Sequence, residues 1–148
     1  MITKAELLRG RDITFASQYT PKISDNLDDL LEPMNVVRAE YGLPMYCSSG
    51  WRPPSVNSMT AGAAPDSAHM TGEAADFKDL DGKLWAWCLA NLALLKQLGL
   101  YLEDRRWTPG WVHFTTRRPT SGNRIFIPMK GLAPHPNLWD GKYDSKYN

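Results

Sequence analysis

Any fold adopted by this chain has to bring three side chains from separate segments to one point. The run Ser67-Ala68-His69-Met70-Thr71-Gly72-Glu73-Ala74-Ala75-Asp76 supplies two of them, and Gly110-Trp111-Val112-His113 supplies the third. Histidine occurs only three times in 148 residues, so two of them falling into a metal-ligand pattern with Asp76 is informative. Two imidazoles and one carboxylate leave a coordination position open for water, which a bound zinc ion acidifies toward neutral pH. A structural zinc site would instead close every position with protein ligands. The pattern points to hydrolysis.

Strand geometry supports the grouping. The segment Glu73 to Lys78 reads as a strand, and residues two apart in a strand share a face, so Gly72, Ala74 and Asp76 line up, as do Trp111 and His113. Small residues at 72 and 74 leave room beside Asp76 for an ion. His69 arrives from the preceding loop and His113 from a neighbouring strand. Glu73 falls on the opposite face and is expected to be solvated.

The remaining elements follow from periodicity and punctuation. Thr3 and Glu6 form a capping box for a short helix through Leu8, stopped by Gly10. Arg11 to Ser24 shows no clean period and reads as loop. Leu27, Leu30, Leu31, Met34 and Val37 recur at helical spacing behind a Ser24 or Asp25 cap and ahead of Gly42. Pro33 inside that span predicts a kink or two abutting helices. Leu43 to Ser49 reads as a strand, and residues 53–66, rich in Pro, Ser, Gly, Asn and Ala, as an irregular loop. Asp81-Gly82 opens a helix with an apolar stripe of Leu84, Trp85, Cys88, Leu92 and Leu95 that ends at Gly99. Residues 100–103 and 111–115 pair as a hairpin, and 124–127 form a further strand. The tail after Pro128 is expected to wrap the surface, with His135 as a loop histidine. Helices around a small, mostly antiparallel sheet give an α+β fold in one domain spanning 1–148.

Composition removes some partners. Seventeen basic against sixteen acidic residues leave a formal charge of +1, too little to hold the protein on nucleic acid or an anionic membrane. No apolar run is long enough to span a bilayer, and the first residues lack the apolar stretch of a signal peptide. Cytoplasmic synthesis, without a membrane anchor and as a monomer, is the expectation; action outside the cell would require release by other means. Cys47 and Cys88 lie far apart, outside any Cys-x-x-Cys spacing, and read as reduced thiols. Trp51, Trp107 and Trp111 offer walls for a substrate groove, although packing explains each taken singly.

The pattern Ser-x-His-x-x-Gly-x-Ala-x-Asp followed by Trp-x-His resembles peptidase family M15. These are the zinc D-Ala-D-Ala carboxypeptidases and phage endolysin-like peptidases of peptidoglycan, which share their fold with Hedgehog domains. The resemblance extends upstream to Ser48-Ser49-Gly50-Trp51-Arg52, weakly to Asn57 and Gly62, and covers roughly residues 43 to 116. It implies a Hedgehog/DD-peptidase-like fold, Zn2+ held by His69, Asp76 and His113, and peptidoglycan peptide as substrate. Arg52 matches the residue that faces the substrate carbonyl or carboxylate, a catalytic role that suits a permanently charged planar fork. Ser67 and Trp111 are the other expected substrate contacts. Many members place a glutamate, or in some a histidine, three residues before the last ligand; here that position is Gly110. Glu103 on the preceding strand is the expected replacement as general base, and Asp104 is a second candidate. The competing expectation is a catalytically silent zinc-containing domain that binds peptide or serves in a virion.

Overall fold

Short strands in which apolar side chains alternate with polar ones build a five-stranded sheet, which carries Asp76 and His113. The computed structural model describes residues 1–128 and 145–148. His135 and most of the tail after Pro128 therefore lie outside the described residues. The strands are β1 (Cys47–Ser49), β2 (Ala74–Lys78), β3 (Tyr101–Glu103), β4 (Trp111–Thr115) and β5 (Ile125–Phe126), in the spatial order β1-β2-β4-β3-β5. All neighbours are antiparallel except β3 and β5, which run parallel. The expected hairpin is present, with Tyr101 opposite Thr115 and Leu102 opposite Phe114.

One face of the sheet is apolar. Ala75, Phe77, Leu102, Val112, Phe114 and Ile125 join a buried cluster with Leu27, Leu30, Met34 and Val37 of α3 (Pro21–Tyr41). Leu84 and Cys88 of α5 (Lys83–Ala90), with Leu92 and Leu95 of α6 (Leu92–Gln97), belong to the same cluster. The opposite face, by strand alternation, presents Asp76, Lys78, Glu103, Trp111 and His113. Core and chemistry thus occupy opposite sides of the same strands.

Several expectations need correction. The capping box of α1 (Lys4–Leu8) is present, Glu6 N donating to Thr3 Oγ1 and Thr3 N to Glu6 Oε2. Residues 11–24, however, are not loop: α2 (Arg11–Thr14) and a 3-10 turn at Ala16–Gln18 precede α3. That helix starts at Pro21, where Thr20 caps the Ile23 amide and proline fills the first helical position, whose N–H has no intrahelical partner in any case. It also runs unbroken past Pro33, which is buried in the core stripe. Apolar packing along that stripe offsets the lost hydrogen bond.

The expected strand from Leu43 shortens to β1. Part of the 53–66 segment forms α4 (Pro54–Ser58), started by its prolines, and the long C-terminal helix divides at Asn91 into α5 and α6. Gly72 lies in the turn before β2 at φ +78, and a Cβ there would stand 2.8 Å from the Ile23 carbonyl oxygen. Its small size admits α3, not a metal ion. No helix among the described residues is long and apolar enough to cross a membrane.

Candidate metal centre

Register brings two of the three ligand candidates together, since Asp76 of β2 lies directly opposite His113 of β4. The pairing of β3 with β4, continued by one residue, sets Glu103 beside His113 on the other side. His69 belongs to the turn-rich segment between α4 and β2, which is pinned from several directions. Arg52 N donates to the His69 carbonyl at 3.0 Å, Trp51 Nε1 to Met70 O at 3.1 Å, and Asn26 Nδ2 of α3 to Thr71 O at 2.8 Å.

The His69 Nδ1 lies 2.8 Å from the Gly50 carbonyl oxygen. A carbonyl only accepts, so Nδ1 carries a proton and Nε2 is turned to the site, a donor to Asp76 when the ring is charged and a free lone pair when a metal ion takes the proton's place. That Nε2 is 3.3 Å from Asp76 Oδ2, and His113 Nδ1 is 2.8 Å from Asp76 Oδ1. One candidate ligand atom from each residue lies within 4.8 Å of the others. Tetrahedral ligand atoms about 2.1 Å from a zinc ion stand about 3.4 Å apart; the His69–Asp76 separation of 3.3 Å matches that spacing and the His113–Asp76 separation of 2.8 Å is shorter. The nitrogen, oxygen, nitrogen donor set suits zinc, and these residues fit a metal ion.

Electrostatics agree with the geometry. Burial alone would raise the Asp76 pKa, but the charge of His69 and hydrogen bonds from His113 and His69 outweigh it, holding the carboxyl well below its usual range. Burial works to lower the His113 pKa, yet the Asp76 hydrogen bond and charge, with Glu103 beside them, leave it raised. The carboxylate thus draws positive charge into the space between the rings, whether a proton or a metal ion. The Glu103 carboxyl is pushed up by burial, and by Asp76 and Asp104, against the opposing pull of His113 and Arg52.

Other site candidates divide. Arg52 is half-buried, its Nη2 donates to Ser67 Oγ at 3.1 Å, and its Nε is buried without a hydrogen-bond partner. Ser67 Oγ also accepts from His69 N at 3.3 Å, so this serine links the arginine to the histidine segment. Trp111 lies half-buried opposite Lys78, one side-chain step along the same sheet face from the Asp76–His113 pair. Trp51 is 0% exposed and packs in the core, so it walls no groove. Trp107 sits in the 3-10 turn Arg105–Trp107 with the Arg106 guanidinium 5.0 Å above its ring.

Asp104 is committed elsewhere, to the guanidinium and the main-chain amide of Arg106. Apart from the candidate ligand Asp76, Glu103 is left as the described carboxylate placed beside His113. Gly110 takes φ +92, and a Cβ there would meet Leu80 at 3.3 Å. The turn into β4 therefore favours glycine at the position where the resemblance leads to the expectation of an acid.

Two arrangements escaped the sequence reading. Glu73 is not solvated: Arg117 Nε and Nη2 donate to its Oε2 at 3.0 and 2.9 Å. Arg117 also donates to Thr71 Oγ1 and the Asp66 carbonyl, stapling the His69 segment to the exit of β4. Asp79 and Arg105 form a buried ion pair at 3.1 Å, with Arg105 also donating to the Trp111 carbonyl and Asp79 accepting from the first amides of α5. No local sequence pattern signals either, because each joins segments far apart in the chain.

Comparison with known proteins agrees with this site. No curated protein and no solved structure matches the chain. A family model described as Peptidase M15 matches residues 4–113, most of the 148 residues, including His69, Asp76 and His113. This α+β chain, with a His-Asp-His cluster on its sheet face, belongs to peptidase family M15, whose members are metal-dependent peptidases.

Proposed function

We propose that the chain is a zinc peptidase that hydrolyses peptide bonds in bacterial peptidoglycan stem or cross-bridge peptides. The observation that supports this best is the convergence of three ligand atoms beside a carboxylate with no role in ligation. His69 through Nε2, Asp76 through its carboxylate and His113 through Nδ1 would hold the zinc. When bound, the ion supplies Lewis acidity, polarising the scissile carbonyl and making the attacking water more acidic.

The chain's own residues supply the rest. Glu103 takes a proton from the attacking water and returns it to the departing amine nitrogen, since one positioned carboxylate serves as base and then as acid. Arg52 faces the carbonyl oxygen, where its fixed charge stabilises the developing oxyanion. Ser67 orients Arg52, and Trp111 provides an apolar wall for the peptide. We place the substrate outside the cytoplasm, as for a phage-type lysis enzyme.

Incubating the zinc-loaded protein with purified sacculi tests the reading. Newly freed amino groups are expected, and their release should slow about 10²-fold or more with Glu103→Gln. A second reading, a silent peptide-binding domain, draws on Gly110, where the turn carries no acid. Sacculi left intact by fully loaded protein would favour it.

A further inference from the structure

The cations around the metal centre are unevenly neutralised. Arg105, Arg106 and Arg117 each pair with a carboxylate. Arg9, Arg11, Arg52 and Lys78 have no ion-pair partner among the described residues. Main-chain carbonyls aim two of these guanidiniums: Arg9 Nη1 donates to Cys47 O and Ser48 O at 3.2 and 3.0 Å, and Arg11 Nη1 to Trp51 O at 2.7 Å. Arg11 lies near both Arg9 and Arg52. Burial lowers the Arg11 pKa, and the charges of Arg9 and Arg52 lower it further.

Space for a ligand adjoins them. A groove of about 540 Å³ opens at the outer edge of β1, lined by Arg9, Tyr46, Cys47, Ser48 and Lys78. Its Ser48 hydroxyl donates to the Asp76 carbonyl at 3.2 Å, so one wall touches the backbone of a proposed ligand residue. Lys78 stands two residues from Asp76, about 7 Å along the same strand face. That is the span of two residues of an extended peptide. Arg9 is the one non-glycine residue at positive φ among those described, and the turn it caps holds it at the mouth of the groove. Like charges gathered without counterions lose stability to mutual repulsion, which an anionic ligand relieves.

We propose that Arg9 and Lys78, linked through Arg11 to Arg52, form a subsite for a carboxylate-bearing peptide, taking an acidic side chain near the scissile bond. The inference rests on the peptidase reading for its choice of a peptide. It commits to carboxylate and not to phosphate.

The test is calorimetric binding to the zinc-loaded full chain of two peptides with identical termini that carry either glutamate or glutamine at interior positions. The glutamate peptide is expected to bind about fivefold more tightly, the effect of two partly exposed charge pairs, with the margin shrinking as salt rises. Lys78→Gln and Arg9→Gln should each remove most of that margin and leave the glutamine peptide's affinity within about twofold. Equal affinities in the wild type, undetectable binding of both peptides, or an undiminished margin in Lys78→Gln would overturn the subsite. Tighter binding of inorganic polyphosphate than of the glutamate peptide would overturn it as well. Turnover of both peptides is followed in parallel: a binding margin without cleavage strikes the peptidase reading alone, and cleavage without a margin strikes the subsite alone.

Discussion

His113 and Glu103 are neighbours across β4 and β3, yet their substitution should fail in different ways. His113 brings a nitrogen to the candidate cluster, so under the zinc-peptidase proposal His113→Ala should abolish stoichiometric zinc and lower the thermal midpoint. Chelator should lower the wild-type midpoint to a similar degree and leave the variant unmoved. Glu103→Gln should retain full zinc content by elemental analysis and lose about 10²-fold or more in turnover. Unchanged rates in the glutamine variant would remove Glu103 from the mechanism. The meeting of Asp76 and His113 was legible from residue type and strand alternation, whereas the place of His69 depends on hydrogen bonds from Arg52, Trp51 and Asn26 to its turn. The roles of Glu73 and Gly72 were not, since one depends on Arg117 and the other on the approach of α3.

At the scale of elements, the Asp79–Arg105 pair joins the end of β2, the start of α5 and the β3–β4 connection, and so sets where β4 enters the sheet. Both side chains are almost wholly buried, at 1% and 7% exposed. Removing one partner strands the other charge away from water, so Arg105→Met should cost about 3–5 kcal/mol in urea unfolding. Asp79→Ala should cost at least as much, because two α5 amides lose their acceptor as well. A loss below about 1 kcal/mol in Arg105→Met would show that the pair does not hold the connection. Elements whose apolar stripe meets the core were foreseen, among them α3, α5 and the β3–β4 hairpin. Elements set by local chain chemistry were missed: α2 has no buried residue, and the start of α3 depends on the Thr20-Pro21 cap. Pro33 does not divide its helix in two, because packing along the helix outweighs one absent hydrogen bond.

For the molecule as a whole, both thiols are free, Cys47 partly buried and Cys88 fully so. Burial pushes Cys47 up to about 11 from 9.0, against the pull of Arg9, and raises Cys88 well above 9.0. Folding therefore keeps both sulfurs protonated at a pH where the unfolded chain has released the protons. A raised folded-state pKa gives stability that is complete below the unfolded value and lost as pH climbs toward the folded one. Stability should hold level as far as these groups are concerned up to about pH 9, then fall by up to about 1.4 kcal/mol per pH unit for each thiol. Tyr41, raised chiefly by burial and then by Asp79 and Asp81, adds to the decline from about pH 10. Urea midpoints at pH 8, 9, 10 and 11 measure this decline, and a variant with Cys47 and Cys88 both changed to alanine should show a shallower slope above pH 9. Parallel slopes in the two proteins would mean that the thiols ionise alike in both states, contrary to their burial beside the apolar face of the sheet.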